Sequence, residues 1–254
     1  MIYQDENYIK FQAEHEKADI IQAGGMPLLF RDGKAFTPYP YGGPSENFSY
    51  DEFINDLKNI GANRYFIRFA PWLNNHIYFP ANEVKYSRQT IARDLTKSVK
   101  FGHGVKWSIK KSRESKVFIS YSVFNLSGFM RLYERSMKEK NADNKYCFDL
   151  NKFKYHLWDN IGIFAARYKN EIIAGALFLE DKDCIHYHLS AMNKEYNKFF
   201  PMEQILYEAC CFYQRAGSKL IHFGGGLREG DSLFQFKQKF GNLTFDYYIA
   251  EGNI

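Results

Sequence analysis

The stretch from Leu220 to Gly241 reads LIHFGGGLREGDSLFQFKQKFG and holds three structural signals in succession. The segment LIHFGG predicts a strand, and its glycines permit the tight turn that follows. Asp231 is a residue type that caps the first turn of a helix, and the apolar residues after it recur at helical spacing. The next segment, LTFDYYIA, predicts another strand. The end of the chain is therefore expected to run strand, glycine turn, helix, strand.

Immediately before this stretch, the sequence predicts an antiparallel meander and a helix. Three β-rich segments are expected to be joined by turns at Lys169-Asn170 and Lys182-Asp183: IGIFAARY, IIAGALFLE and CIHYHLSAM. A helix is expected to begin at Pro201, a favoured first-turn residue, and to stop at Gly217. Upstream of the meander, KVFISYSV predicts a strand, followed by one helix from Leu126 and a shorter one over DLNKFKYHLWDN. The second half is thus predicted as β-α-α-β-β-β-α-β-α-β.

The first third of the chain predicts strand, strand, helix, strand. Three short segments are separated by Gly-Gly and Asp-Gly turn dipeptides: ADIIQAG, MPLLFRD and KAFTPYP. Ser49 and Glu52 form a capping box before an amphipathic helix that Gly61 ends, and RYFIRFAP resumes the strand pattern. The basic segment 96–116 carries two glycines and is interpreted as the connection between two halves.

Composition and charge exclude several classes of protein. The 254 residues are 45% hydrophobic and 25% charged, which is ordinary for a globular chain. A net charge of +5 is too small for a dedicated DNA-binding protein. The four cysteines lack CxxC spacing, so neither a metal site nor a disulfide framework is predicted. The chain shows no export signal and no apolar run of membrane-spanning length, so we expect a cytoplasmic protein.

The C-terminal residues resemble a known family of acyltransferases. The Gly224-Gly225-Gly226 turn followed by Phe236-Lys237-Gln238-Lys239-Phe240-Gly241 is similar to the closing signature of the FemAB-like branch of the GNAT (N-acyltransferase) superfamily, in which a glycine-rich turn precedes FKxxFG. The stretches HYHLSAMNKEYNKFFPMEQILYEA, TIARDLTKSVK and YPYGGP also resemble segments of that family.

The resemblance implies a fold and a division of the chain. The expected fold is mixed α/β (α+β), a GNAT acyltransferase fold. Residues 1–98 would form a trimmed GNAT-like N-terminal unit, and residues 99–254 a complete GNAT/FemAB-like acyltransferase unit.

The resemblance also implies a reaction, namely transfer of an acyl or aminoacyl group to a primary amine. The acceptor would be a nucleotide-linked or lipid-linked cell-envelope precursor, either a peptidoglycan peptide or an amino sugar of a surface polysaccharide. The co-substrate would be aminoacyl-tRNA or acyl-CoA, with tRNA as a further partner in the first case and no tightly bound cofactor. Two alternatives stay open: an acyl-CoA-dependent amino-sugar N-acetyltransferase, and a non-catalytic GNAT-shaped binding module, which a buried or salt-bridged Lys237 away from any cleft would favour.

Lys237 is the predicted catalytic residue. Amide formation passes through a tetrahedral oxyanion, which a fixed positive group stabilises. By resemblance Lys237 falls on the family lysine credited with that role, and Phe236 on the residue that packs against the acceptor. From spacing alone, a solvated charge on an amphipathic helix is the more common explanation for such a lysine.

Three further residues are candidates for acceptor binding. Tyr187 and His188 are neighbours on the last strand of the meander and are expected on opposite faces, with His186 on the face of His188. Tyr146 falls near an acceptor-binding aromatic of the family. For each of them, ordinary packing is the competing explanation. No Asp or Glu stands out as the general base.

Two further features concern phosphate groups. A cluster of basic residues could hold the phosphates of a nucleotide sugar or of tRNA, or could be a solvated basic face: Lys106, Lys110, Lys111, Arg113 and Lys116. In acyl-CoA-dependent GNATs, the helix after the meander starts with a QxxGxG/A-type loop that cradles pyrophosphate. Here Tyr196–Glu203 contains no glycine, and Pro201 lacks an N–H.

Overall fold

The computed structural model of the chain describes residues 1–143, 146–182 and 184–254, with side chains throughout except at residues 150 and 151. It divides into two compact units. The first comprises residues 1–90 and 245–254, and the second comprises residues 91–244. The division predicted from the sequence, a trimmed GNAT-like unit over residues 1–98 and a complete one over 99–254, stays a prediction.

The first unit is a sheet with two helices. Its elements are α1 (Glu6–Glu16), β1 (Asp19–Ala23), β2 (Met26–Arg31), β3 (Lys34–Phe36), α2 (Tyr50–Asn59), β4 (Arg64–Arg68), most of β5 (Val84–Asp94) and most of β11 (Leu243–Asn253). Strands β1, β2, β3, β4 and β11 are neighbours in that order, and the β3–β4 pair is parallel. The predicted strands, the Ser49 cap and the Gly61 stop are confirmed.

Two elements of the first unit were not predicted. Helix α1 is capped by Asp5, which accepts a hydrogen bond from the Asn7 backbone N–H, and it buries one face through Tyr8, Ile9 and Ala13. The Asp5 cap was the sequence signal for this helix. Strand β5 extends over eleven residues, but its N-terminal half is only partly buried. Apolar and polar residues therefore alternate only weakly along its sequence.

The second unit is a six-stranded sheet between helices. Its further elements are α3 (His103–Glu114), β6 (Phe118–Tyr121), α4 (Leu126–Glu139), α5 (Leu150–Leu157), β7 (Ile161–Tyr168), β8 (Glu171–Glu180), β9 (Cys184–Met192), α6 (Pro201–Arg215), β10 (Leu220–Gly224) and α7 (Ser232–Gln238). The strand order is β5-β10-β9-β8-β7-β6, with β9 and β10 parallel and the other pairs antiparallel. The predicted element order from β6 onward is confirmed. The predicted Lys182-Asp183 turn lies partly outside the described residues.

The interpretation of residues 96–116 as a connection is wrong, because residues 103–114 form α3. Val105 and Ile109 lie one turn apart and bury one face of this helix in the core of the unit. The two glycines do not break it. Gly102 is the N-cap, and Gly104 stands in the first turn, where nothing lies within 4 Å of the position of a Cβ.

Helices cover both faces of the second sheet. Helices α3 and α6 pack on the face that carries Ala174, Ala176 and Phe178 of β8. Helix α4 packs on the other face, where Phe129 comes so close to Gly175 that a Cβ there would lie 2.5 Å from its ring. The central strands are therefore buried on both sides. Within the described ranges, no helix is long and apolar enough to cross a membrane.

Candidate functional site

The parallel pair β9–β10 is where the sheet opens. Described pairs join Cys184 to Leu220, Ile185 to Ile221 and His186 to His222. Both strands continue past His186 and His222, and no later pair links them in the part of the chain that the structure describes. A crevice at the carboxyl ends of neighbouring parallel strands is a common place for ligands in α/β sheets.

The glycine-rich turn after β10 is held by Asp231. The carboxylate of Asp231 accepts backbone hydrogen bonds from Leu227 at 2.7 Å, Arg228 at 3.0 Å and Phe234 at 2.8 Å. These bonds fix the turn and cap α7 together, as the sequence predicts. They also lower the pKa of Asp231, so it stays a carboxylate. Gly226 is required here because a Cβ would lie 2.0 Å from an Asp231 carboxylate oxygen.

Lys237 extends from α7 back to this turn. Its Nζ donates a hydrogen bond to the carbonyl oxygen of Gly225 at 2.7 Å and lies 5.7 Å from the centre of the Tyr187 ring. The residue is 8% exposed, so the interpretation of Lys237 as a solvated charge is wrong. Among the described residues, no carboxylate lies within ion-pair distance of its ammonium group.

Burial changes the acid-base properties of this site. Loss of water lowers the pKa of Lys237 from 10.5 to about 8, partly opposed by the attraction of Asp231. His222 is buried nearby, and burial together with the charge of Lys237 lowers its pKa to about 3. The imidazole is therefore neutral at pH 7, and Lys237 is the group that titrates near physiological pH.

Tyr187 lies beside Lys237, with the Lys237 Nζ 5.7 Å from the centre of its ring, and its role in acceptor binding stays a prediction. Its hydroxyl contacts the sulfur of Met202 on α6 at 3.6 Å, and its ring packs against Phe178 and Phe223. Burial raises the pKa of Tyr187 to about 12, so the phenol is neutral. A neutral hydroxyl next to an ammonium group can position a polar acceptor.

His188 lies on the opposite face of the sheet. Its ring is 6.0 Å from Phe148 and 6.1 Å from Phe153, which belong to the α5 side. The pairing of β9 with β8 shifts at this point, from Leu189 to Tyr187, so His188 occupies a bulge. Burial lowers its pKa to about 3. The structure thus separates His188 from the face of Lys237, and acceptor contact by His188 stays a prediction.

Phe236 and Tyr146 are the other predicted binding residues. Phe236 is half-buried, and its ring packs against Phe240 with centres 5.5 Å apart. The Tyr146 carbonyl accepts a hydrogen bond from the Tyr133 hydroxyl at 2.8 Å, which ties its loop to α4. Phe236 is the sequence neighbour of Lys237, whereas Tyr146 lies on the α4 side with His188. Both roles stay predictions.

Glu203 is a candidate that the sequence pattern did not reveal. It stands in the first turn of α6, half-buried, and burial raises the pKa of its carboxyl group. Its charge also acts on Tyr187, whose pKa it raises. An acidic residue is ordinary in the first turn of a helix, so position alone gave no signal. Only the structure shows that Glu203 is partly buried and that its charge acts on Tyr187.

The N-terminus of α6 does not fit the pyrophosphate of coenzyme A in the usual way. Pro201 supplies no N–H at the first helical position, and the Gln204 N–H is bonded to the Phe200 carbonyl at 3.2 Å. The Glu203 carboxylate in the same turn repels an anion. The sequence lacks the glycine loop that binds pyrophosphate, and the described residues at this helix end form no other phosphate-binding loop.

The basic residues of α3 lie on its exposed face. Arg113 pairs with Glu208 at 2.8 Å, and Lys111 pairs with Glu114 at 2.9 Å. This is the arrangement of a solvated charged face. Across the described residues, no group of three or more His, Cys, Asp or Glu side chains could hold a metal ion.

Comparison with known proteins identifies the fold. Residues 126–238 match the family model described as an acetyltransferase (GNAT) domain, and this range contains β9, β10 and Lys237. No curated protein matches the sequence.

Solved structures match nearly the whole chain at low identity. The C-terminal domain (DUF2156) of a protein provisionally named lysylphosphatidylglycerol synthetase, from Agrobacterium fabrum, is 12% identical with a TM-score of 0.70, covering 99% of this chain and 88% of that one. FemX is 13% identical with a TM-score of 0.68, covering 98% and 92%. L-PGS from Bacillus licheniformis is 10% identical with a TM-score of 0.66, covering 98% and 92%. The chain therefore has the mixed α/β fold of GNAT acyltransferases, as predicted, with a GNAT domain over residues 126–238.

Proposed function

We propose that this protein is an acyltransferase that forms an amide between an activated acyl or aminoacyl group and a primary amine of a cell-envelope precursor. The observation that carries the proposal is the buried ammonium group of Lys237, anchored on Gly225 beside Tyr187 where β9 and β10 separate. The GNAT match supports transferase chemistry, and the likeness to FemX supports the FemAB-like branch.

The chemistry follows from the charge of Lys237. The amine nitrogen attacks the carbonyl carbon of an ester or thioester, and the carbonyl oxygen becomes an oxyanion. An ammonium group has three N–H donors, and Gly225 accepts one, so another can donate to the oxyanion. Collapse of the intermediate breaks the ester or thioester bond and releases an alcohol or a thiol, which takes the proton that the amine loses.

Glu203 is the proposed acceptor of that proton on its way to the leaving group. A raised pKa brings a carboxyl group closer to the range in which it can both take and give a proton near neutral pH. We expect Glu203→Gln to reduce turnover about tenfold without changing the acceptor KM, as measured by steady-state kinetics. Turnover equal to that of the wild type would exclude this role.

The donor is the point on which the family match and the site differ. The GNAT match favours acyl-CoA, whereas the α6 N-terminus lacks a phosphate cradle, which favours aminoacyl-tRNA. Calorimetric titration with acetyl-CoA separates the two. Micromolar binding would favour the alternative of an acyl-CoA-dependent amino-sugar N-acetyltransferase, and acceptor binding without CoA binding would favour the tRNA donor.

The test of the function is direct detection of the product. The protein is incubated with acetyl-CoA or aminoacyl-tRNA and with a nucleotide-linked amino sugar or a muropeptide precursor, and the new amide is sought by mass spectrometry. We expect one donor–acceptor pair to give a product that grows with enzyme concentration. Binding of an acceptor with no product from any pair would favour the non-catalytic binding module.

A further inference from the structure

A cleft lies on the second unit, away from Lys237. It is formed by the first turns of α4 and by the β7–β8 hairpin, and it has a volume of about 510 Å³. Asn193 follows the last residue of β9 and stands six positions after Tyr187, a length of about 20 Å in extended chain. The Asn193 N–H bonds to the carbonyl of Ile173, next to the Ile172 that lines the cleft. The cleft is therefore distinct from the candidate acyl-transfer site.

Arginines dominate the charge of this cleft. Arg131, Arg135 and Arg167 line it, against Glu171 as its acidic residue. Arg131 and Arg135 are four residues apart on α4, so their side chains lie on the same side of the helix, about 6 Å apart along its axis. Guanidinium groups bind phosphate oxygens through paired N–H donors. Two of them at this spacing can each bind one phosphate of a diphosphate.

The arginines differ in how they are held. Arg167 is fixed, because it donates to the Asn125 side-chain oxygen at 3.0 Å and to the Asn170 carbonyl at 3.5 Å. Arg135 forms an exposed ion pair with Glu139, with 2.9 Å between Nε and Oε1. Within residues 1–143, 146–182 and 184–254, Arg131 has no carboxylate at ion-pair distance. An anion in the cleft would therefore gain a new partner in Arg131 rather than compete for one.

At the cleft, α4 and β8 pack in close contact through Gly128. Gly128 stands inside α4, where glycine is otherwise unfavourable. A Cβ at this position would lie 2.6 Å from Ile172 Cδ1, so the glycine lets the helix sit directly on the start of β8. Glu171 is held as well, because its carboxylate accepts a hydrogen bond from the Tyr196 hydroxyl at 3.2 Å.

An exposed aromatic ring stands at the rim. Phe124 lines the cleft and is 87% exposed. An exposed ring beside a basic cleft suits a planar base that stacks on it while the arginines bind phosphate. The volume falls within the range of small-molecule sites. From these features we infer that this cleft binds a nucleoside diphosphate, with the diphosphate on Arg131 and Arg135 and the base on Phe124.

Calorimetric titration of the full chain tests this inference. The probes are UDP, ADP and inorganic diphosphate. We expect a nucleoside diphosphate to bind the wild type with micromolar Kd, and Arg131→Ala and Arg135→Ala to weaken binding about tenfold each. Lys110→Ala is the matched control, because it removes the same charge from a side chain that is 74% exposed on α3 and should leave Kd within about twofold.

A second variant tests the ring. Phe124→Ala should reduce nucleoside diphosphate affinity to that of inorganic diphosphate and leave the latter unchanged. Lys237→Met should bind both probes like the wild type, so failure of the acyl-transfer proposal would not affect this result. The inference is overturned if the wild type binds none of the probes, or if Arg131→Ala and Lys110→Ala have the same Kd.

Discussion

Lys237 combines a positive charge with a buried position, and this sets its behaviour with pH. Its ammonium form is the one that can donate to an oxyanion, and burial lowers its pKa to about 8. The charged form therefore dominates at pH 7 and is lost as the pH rises through about 8. The proposed catalytic form of the lysine therefore prevails only on the acidic side of that pKa.

A pH profile of turnover tests this assignment. We expect kcat of the wild type to fall above about pH 8, by about tenfold per pH unit once Lys237 is neutral. The residual activity of Lys237→Met should lack this descending limb, because the methionine does not titrate. An unchanged descending limb in Lys237→Met would assign it to another group, such as the acceptor or the donor.

The same pKa has a consequence for stability. The unfolded chain holds the Lys237 proton up to about pH 10.5, whereas the folded chain releases it from about pH 8. The unfolded state thus binds more protons between these values, and stability rises with pH across this window. A pKa lowered from 10.5 to about 8 corresponds to about 3 kcal/mol of destabilisation at pH 7.

Urea denaturation of Lys237→Met measures that cost. The substitution removes the buried charge but also the hydrogen bond to Gly225, worth about 1 kcal/mol. We expect the free energy of unfolding at pH 7 to rise by about 2 kcal/mol, and the advantage to disappear near pH 10.5. Lys110→Met, at an exposed position, should change little at either pH. A less stable Lys237→Met at pH 7 would show that Lys237 is structural.

At the scale of elements, the packing of α4 on β8 depends on glycine. A Cβ at Gly175 would lie 2.5 Å from Cδ2 of Phe129, which is fully buried. We expect Gly175→Ala to reduce the free energy of unfolding by about 1 to 3 kcal/mol. Gly104→Ala in α3 is the control, because nothing lies within 4 Å of the new methyl group.

The control variant, Gly104→Ala, also has an expected effect on stability. Alanine favours helix over glycine, so Gly104→Ala should leave stability unchanged or raise it by up to about 1 kcal/mol. Chemical denaturation of both variants gives the comparison. Equal stabilities would mean that α4 and β8 are not packed as closely as the structure places them.

The sequence predicted the elements whose patterns are local. The meander, the Pro201 helix and the Asp231 cap each carry their own signal, and all are present. Helix α3 was missed because its basic residues and two glycines outweighed the weak apolar spacing of Val105 and Ile109. Its buried polar residues, Ser108 and Ser112, interrupt that pattern, and Ser112 finds its partner in Gln204 of α6 at 2.6 Å. Such long-range partners are not visible in local sequence.

The site was predictable only in part, for a similar reason. Lys237 was found through the family motif, but its burial follows from a contact with Gly225 twelve positions earlier in the chain. Alternation along the strand placed Tyr187 and His188 on opposite faces, but it could not tell which of the two faces carries Lys237. Glu203 was missed because its burial and its effect on Tyr187 depend on how α6 packs on β9.

At the scale of the whole molecule, the chain shares its fold with proteins to which it is only 10–13% identical. Fold at this distance does not select a substrate. The function therefore has to be argued from three parts of the molecule: the Lys237 site, the α6 N-terminus without a phosphate cradle, and the arginine cleft on α4. We propose that the first carries out acyl transfer and that the last binds a nucleoside diphosphate.

The proposed role of Lys237 is to stabilise the transition state of amide formation. Its decisive test compares the kcat of Lys237→Met with that of Lys110→Met, with the donor–acceptor pair that gives product. We expect a fall of at least tenfold for Lys237→Met, with an unchanged circular dichroism spectrum, and a kcat within about twofold of the wild type for Lys110→Met. A folded Lys237→Met that turns over as fast as Lys110→Met would contradict it.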